Sequence, residues 1–267
     1  MHHDVNQLFS HIWQDYLSVT PSAKKIHTLL GSGQQQDVIN DHVAYRTFNI
    51  EKVNLNKLAA HLLTLGYTEC GEYHFEAKKL YAKHFEHPDP TAPKVFISEL
   101  LLEKCSPELQ AIAHRLVDSI SADAVSADNF LYSGRHWDID AATYKTLLAE
   151  SEYAAWLAVW GYRANHFTVS VNDLENFSTL EAVNTTLKDA GFALNTSGGE
   201  IKGSPAEFLE QSSTLADVID VEFSDTTAPI PSCFYEFALR YPMPNGKLYT
   251  GFVAASADKI FESTNAR

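Results

Sequence analysis

The chain has 267 residues, of which 45% are hydrophobic and 20% charged, and a formal net charge of −14. That size and composition give a globular chain with a substantial core. The acidic balance excludes nonspecific binding to nucleic acid and docking on anionic membrane, though a local Arg can still hold a small anion.

Val5, Leu8, Phe9, Ile12, Trp13 and Tyr16 recur at helical spacing, which predicts an amphipathic helix over 5–17. A second short helix follows Pro21, residues 31–36 (GSGQQQ) read as a loop, and 38–48 reads as a strand. A pattern then occurs twice. After His42 come a helix (Leu55, Leu58, Ala59, Leu62, Leu63) and a Gly66 stop; after His166 come a helix (Phe177, Leu180, Val183, Leu187) and a Gly191 stop. Each copy continues into further strands. The first closes with 94–102 (KVFISELLL), carrying Glu99, and the second with 234–241, carrying Glu236. Between the copies, Ser106-Pro107 opens a helical segment by N-cap and first-turn chemistry, and 140–160 adds one or two helices ending at Gly161. The fold class expected is α+β: one domain over 1–267, with duplicated modules at 38–103 and 163–256, a helical insert at 104–162 and an N-terminal helix.

Three short strands carry the chemistry: 40–48 (NDHVAYRTF), 165–171 (NHFTVSV) and 233–241 (CFYEFALRY). Strand side chains alternate faces, so His42, His166 and Glu236 each fall on the more polar face of an apolar strand. Two histidines and one carboxylate with open positions form the facial triad of non-haem Fe(II) oxygenases. Arg46 lies four residues after His42 on the same face, roughly 13 Å along the strand. There it can clamp the far carboxylate of a substrate whose near end sits on a metal. Taken singly, Glu236 could instead pair with Arg240. Arg135, His136 and Trp137 read as loop residues, and His84 and His87 as non-ligands in a run leading into Pro88 and Pro90.

No GxSxG, P-loop, GxGxxG or HExxH motif occurs. Three cysteines, Cys70, Cys105 and Cys233, form no CxxC pair, which points to a reducing compartment. No apolar run approaches the ~20 residues of a membrane span, and no leader pattern opens the chain. A cytoplasmic location is the expectation.

The runs NDHVAYRTF, HFEHPDPTAPKVFISEL, GYRANHFTVSVN, EQSSTLAD and CFYEFALRYP resemble the 2-oxoadipate dioxygenase/decarboxylase (hydroxyglutarate synthase) family, from about Asp4 onward. The resemblance implies paired βαβββ modules of the vicinal oxygen chelate type, forming a curved mixed sheet around a metal site. It implies His42, His166 and Glu236 as Fe(II) ligands, Arg46 as the residue recognising substrate carboxylate, and Gln211, Ser212 and Ser213 as pocket residues. Zn, Ni, Co or Mn could occupy such a triad in a purified sample. The partners implied are a 2-oxo acid and O2, with a homodimer compatible and a place in lysine breakdown. The chain is shorter than bacterial members, so the resemblance bears on reaction type more than on the length of the 2-oxo acid. Two alternatives stay open: a glyoxalase-like isomerase or lyase with Glu99 as a fourth ligand, and a non-catalytic small-molecule binding protein.

Overall fold

The computed structural model describes residues 2, 4–31 and 38–265. The loop expected over 31–36 therefore lies, beyond Gly31, outside the described residues. Ten strands and nine α-helices follow in chain order among the described residues.

The two modules are built alike. The first is β1 (Asn40–Phe48), α3 (Leu55–Leu63), β2 (Thr68–Phe75), β3 (Leu80–Glu86) and β4 (Lys94–Leu100). The second is β5 (Ala164–Ser170), α8 (Leu180–Asp189), β6 (Lys202–Ser204), β7 (Leu209–Ser213) and β10 (Phe234–Arg240), with a separate hairpin, β8 (Val218–Glu222) and β9 (Thr227–Pro231), before its last strand. All but the hairpin strands join one sheet in the order β2-β3-β4-β1-β5-β10-β7-β6. β1 and β4 run parallel, as do β5 and β10, and β1 and β5 meet antiparallel at the centre. The modules are thus related by a pseudo-two-fold axis between β1 and β5. Gly66 and Gly191 end the two module helices with φ of +93° and +86°, the left-handed geometry that favours glycine.

The two sheet faces differ in chemistry. Phe167 and Tyr235 point outward against α1 (Val5–Val19): the Trp13 and Tyr16 rings each lie 4.9 Å from the Phe167 ring. The Tyr16 hydroxyl donates to the Phe234 carbonyl. α2 (Pro21–Leu30) continues this outer layer.

The helical insert comprises α4 (Pro107–Asp118), α5 (Ala122–Ser126), α6 (Ala141–Glu150) and α7 (Glu152–Trp160). Over the inner face lie α9 (Ala254–Ile260) and, from the insert, α7, whereas α5 of the insert packs on α3. Ser106 caps α4 through its hydroxyl, which accepts from the Leu109 N–H. α7 is apolar all round and buried from Tyr153 to Trp160, as expected of a helix packed on every side. Its Tyr153 hydroxyl donates to the Ser98 carbonyl of β4 at 2.7 Å. α9 (Ala254–Ile260), which the sequence reading did not separate from the second module, touches both edge strands, β2 and β6, and closes the curled sheet. Among the described residues no helix is long and apolar enough to cross a membrane.

Candidate metal centre and its surroundings

His42 on β1, His166 on β5 and Glu236 on β10 converge. One ligand atom from each lies within 4.8 Å of the others, and all three residues are buried. The sheet register explains the meeting. Thr168 on β5 pairs with His42 on one side and with Glu236 on the other, while His166 pairs with Ala44 and Phe234. Neighbouring strands stand about 4.8 Å apart, so the three side chains share one patch of the inner face. The Nε2 atoms point to the centre: His166 Nε2 is 3.1 Å from Glu236 Oε2, and His42 Nε2 is 3.5 Å from Glu236 Oε1 and 3.0 Å from the Thr168 hydroxyl.

Each imidazole is held from behind by the residue that precedes it. His42 Nδ1 is 2.8 Å from Asp41 Oδ1, and His166 Nδ1 is 3.1 Å from Asn165 Oδ1. Adjacent residues on a regular strand point to opposite faces, so this contact needs an irregular backbone. The β1–β5 ladder breaks at both places. Asn40 pairs with Val169 and His42 with Thr168, leaving Asp41 extra; Ala44 pairs with His166 and Tyr45 with Ala164, leaving Asn165 extra. Two bulges therefore re-aim the two supporting side chains. Fixing Nδ1 in this way sets the ring orientation and frees Nε2 as a ligand.

Asp41 is itself anchored. Arg240 donates to both of its carboxylate oxygens, Nε to Oδ2 at 2.6 Å and Nη2 to Oδ1 at 2.8 Å. Burial opposes ionisation of Asp41, but the Arg240 charge, the hydrogen bonds and His42 outweigh it and hold the carboxyl well below its ordinary range. Arg240 thus serves Asp41 and does not pair with Glu236. Burial likewise works against Glu236, but the two imidazoles and Gln211 keep its carboxyl below the ordinary value. Burial lowers His166, against the pull of Glu236. The centre accordingly presents an ionised carboxylate and an imidazole biased toward its neutral, ligating form.

A small cavity opens over these groups, lined also by Phe96, Gln211, Phe252, Ala257, Ile260 and Phe261. A larger groove lies away from them, between α3 and α5, bordered by Lys57, His61 and Val125. The convergent donors, not the volume, mark the smaller cavity as the chemical site. Gln211 Nε2 donates to Glu236 Oε1 at 2.5 Å, so Gln211 belongs to the centre.

Other expected residues lie elsewhere. Ser213 shares the inner face, but its hydroxyl meets that of Ser263 at 2.9 Å. Ser212, between them, points outward by strand alternation and donates to Asn184 of α8 at 2.7 Å, so it does not line the cavity. Glu99 does not reach the centre either. It shares the outer face of β4 with Val95 and Ile97, and its carboxylate accepts from the Leu55 N–H at the start of α3. The register places Phe96, not Glu99, opposite Ala44, the position corresponding to Glu236 opposite Thr168. Phe96 is the inward residue that lines the cavity.

Arg46 is buried on the inner side of β1. Its Nη1 donates to both carboxylate oxygens of Glu152 at 3.1 and 3.3 Å, and its Nη2 to the Thr264 hydroxyl at 2.8 Å. Its guanidinium lies 5.8 Å from the ring centroid of Phe261, which borders the cavity. Its Nε is buried with no hydrogen-bond partner. His84, set aside in sequence as part of a turn, is a buried residue of β3. The supporting residues Asp41, Asn165, Phe96 and Phe252 went unassigned in sequence; the one visible signal was a polar residue directly before each ligand histidine.

A family model described as 2-oxoadipate dioxygenase/decarboxylase matches residues 3–247. The chain is 35% identical over 281 residues to the chloroplastic 2-oxoadipate dioxygenase/decarboxylase of Arabidopsis thaliana, covering 93% of this chain and 74% of that protein. The solved structure of hydroxyglutarate synthase from Oryza sativa, in complex with 2-oxoadipate, superposes with a TM-score of 0.89 at 35% identity, covering 97% of this chain and 91% of that one. A protein of Shewanella frigidimarina NCIMB 400 named as a hydrolase superposes with a TM-score of 0.92 at 65% identity, covering 96% and 100%. With a matched region this long, on a sheet that brings the two histidines and the glutamate together, the chain belongs to the 2-oxoadipate dioxygenase/decarboxylase family.

Proposed function

We propose that this protein is a non-haem Fe(II) dioxygenase that decarboxylates a 2-oxo dicarboxylic acid of the 2-oxoadipate type, giving the 2-hydroxy acid one carbon shorter. For 2-oxoadipate the reaction consumes O2 and yields 2-hydroxyglutarate and CO2. It balances without an external reductant, because the substrate supplies the electrons. The observation that supports this most is the convergence of His42, His166 and Glu236 with Phe96 at the position where a fourth ligand would stand.

The donors fit a divalent cation. Glu236 Oε2 and Gln211 Oε1 are buried without hydrogen-bond donors, and an orphaned carboxylate oxygen facing imidazole nitrogens calls for a positive partner. His42 Nε2, His166 Nε2 and a Glu236 oxygen would hold the ion. Fe(II) bound there would supply Lewis acidity toward the 2-oxo acid and redox capacity toward O2.

The remaining work falls to the chain. Asp41 and Asn165 fix the two rings, and Gln211 pins one Glu236 oxygen so that the other faces the ion. Phe96, Phe252, Ile260 and Phe261 keep bulk water from the cavity. Arg46 receives the distal carboxylate of the substrate through its unpartnered Nε, with Glu152 and Thr264 holding the other two nitrogens in place. A buried guanidinium with one free donor selects dicarboxylic over monocarboxylic 2-oxo acids.

O2 uptake by protein reconstituted anaerobically with Fe(II), then given 2-oxoadipate and shorter and longer 2-oxo acids, tests this reading. Uptake matched by CO2 release, and absent in His166→Ala, is expected. Bound metal with no uptake for any of these acids would reject it in favour of O2-independent chemistry.

A further inference from the structure

A second group of metal-ligating side chains lies on the first module. In β2, Glu69 pairs with Phe85 and Gly71 with His84, which leaves Cys70 outside the ladder. A bulge of this kind re-aims a side chain. Here it brings the Cys70 thiol within 4.8 Å of both a His84 ring nitrogen and a Glu86 carboxylate oxygen, which lie equally close to one another.

His84 is prepared as a ligand in the way the histidines of the main centre are. Its Nδ1 is 2.9 Å from the Tyr73 hydroxyl, and that hydroxyl also accepts from the Phe252 N–H at 3.2 Å. A phenol oxygen can accept from two donors, so it suits an imidazole protonated on Nδ1 with Nε2 bare. Nε2 is 3.0 Å from Glu86 Oε1, where a cation can replace a shared proton. Gly71 permits the close packing: a Cβ there would stand 2.9 Å from His84 Nδ1 and 3.0 Å from the Tyr73 hydroxyl. Cys70 is exposed, and its sulfur touches only the Thr68 carbonyl at 3.5 Å and the Thr68 hydroxyl at 3.8 Å among described hydrogen-bonding groups. It is free to complete the approach.

We propose that Cys70, His84 and Glu86 form a second divalent-cation site, of the type that takes Zn(II), with a fourth position open to water. Sulfur, imidazole and carboxylate together match Zn(II) or Co(II), whereas Mg(II) and Ca(II) call for oxygen donors alone. The site is distinct from the main centre. The Phe252 ring stands between them, 4.8 Å from the His42 ring and 5.3 Å from the His84 ring. The inference does not rest on the catalytic reading.

Cobalt distinguishes the two sites, because the main centre has no sulfur. Metal-stripped protein, kept reduced with a phosphine, is titrated with Co(II) while near-ultraviolet thiolate-to-cobalt charge transfer is followed beside total bound metal. The wild type is expected to take a second equivalent that carries the sulfur band. Cys70→Ser, a change at an exposed side chain, should lose that band and that equivalent and keep the first. Glu236→Ala should do the reverse. A single sulfur-free equivalent in the wild type, or a band that survives in Cys70→Ser, overturns the proposal.

Discussion

Phe96 and Glu236 stand at equivalent points of the two modules. Each lies on the strand parallel to its module's histidine strand, opposite the residue two positions past the histidine: Phe96 faces Ala44, and Glu236 faces Thr168. One module therefore gives the centre a carboxylate where the other gives it a phenyl ring. On the proposed function, that asymmetry makes a duplicated scaffold with room for four ligands into a three-ligand centre, with adjacent positions left for a chelating substrate.

Phe96→Glu should consequently add a fourth ligand. The expected outcome is metal held at least about tenfold more tightly against a competing chelator, with turnover of 2-oxo acids abolished. Without metal the new carboxylate would be buried beside Glu236, which costs several kcal/mol, so the metal-free variant should melt lower and recover when metal is added. Phe96→Leu should retain metal and lose only about 1–2 kcal/mol of packing. An unchanged chelator midpoint in Phe96→Glu would mean that the two positions are not equivalent in reach.

Asp41 joins two functions that can be separated. It orients His42 and neutralises the buried Arg240. Asp41→Asn should weaken metal binding by about 10–100-fold. It should also lower stability by about 3–5 kcal/mol, because Arg240 is left as an uncompensated buried charge. Asn165→Ala should weaken metal binding without the larger stability loss, since no ion pair is broken. Thermal melting of the metal-free proteins, set beside metal affinity, checks the contrast; equal destabilisation by both changes would contradict it.

The convergence of His42, His166 and Glu236 was legible because it needs only two things visible in sequence, strand alternation and a repeated strand–helix–glycine pattern. What was not legible depends on register. Glu99 and Phe96 are three residues apart and fall on opposite faces, and only the pairing with β1 shows which one corresponds to Glu236. Ser212 sits between two inward residues and points out for the same reason. Asp41 and Asn165 reach their histidines through bulges, and a bulge is a relation between two strands that neither strand's sequence displays. α9 has a weak apolar pattern, AASADKI, and owes its place to the two sheet edges it closes.

Lys202 gives a pH dependence with a definite sign. It is buried, and its Nζ donates to the Asn195 carbonyl at 2.6 Å. Burial pushes the amine down from 10.5 to about 8, against the attraction of Glu236, Glu262 and Glu200. Between about 8 and 10.5 the unfolded chain keeps a proton that the folded chain has released, so this group makes stability rise with pH in that window. Lys202→Met should remove the rise. Urea unfolding near pH 7.5 and near pH 9.5 should show the wild type gaining on the variant by about 1–3 kcal/mol; parallel behaviour of the two proteins would show that the amine stays protonated.

On the proposed function, Arg46 separates substrate binding from metal binding. Its guanidinium is fixed by Glu152 and Thr264 and lies 5.8 Å from the ring centroid of Phe261, which lines the cavity. Arg46→Ala should keep metal at wild-type affinity. Loss of a charged hydrogen bond to a substrate carboxylate, about 1.5–3 kcal/mol, should lower kcat/KM for 2-oxoadipate by about 10–100-fold, chiefly through KM. A 2-oxo monocarboxylic acid of the same length has no distal carboxylate to lose, so its turnover should change little, and the preference for the dicarboxylic acid should disappear. Glu152→Gln should act in the same direction but more weakly, because it loosens the guanidinium without removing it. Unchanged kinetics in Arg46→Ala, with metal retained, would assign Arg46 to structure alone and leave the distal carboxylate to another residue of the cavity.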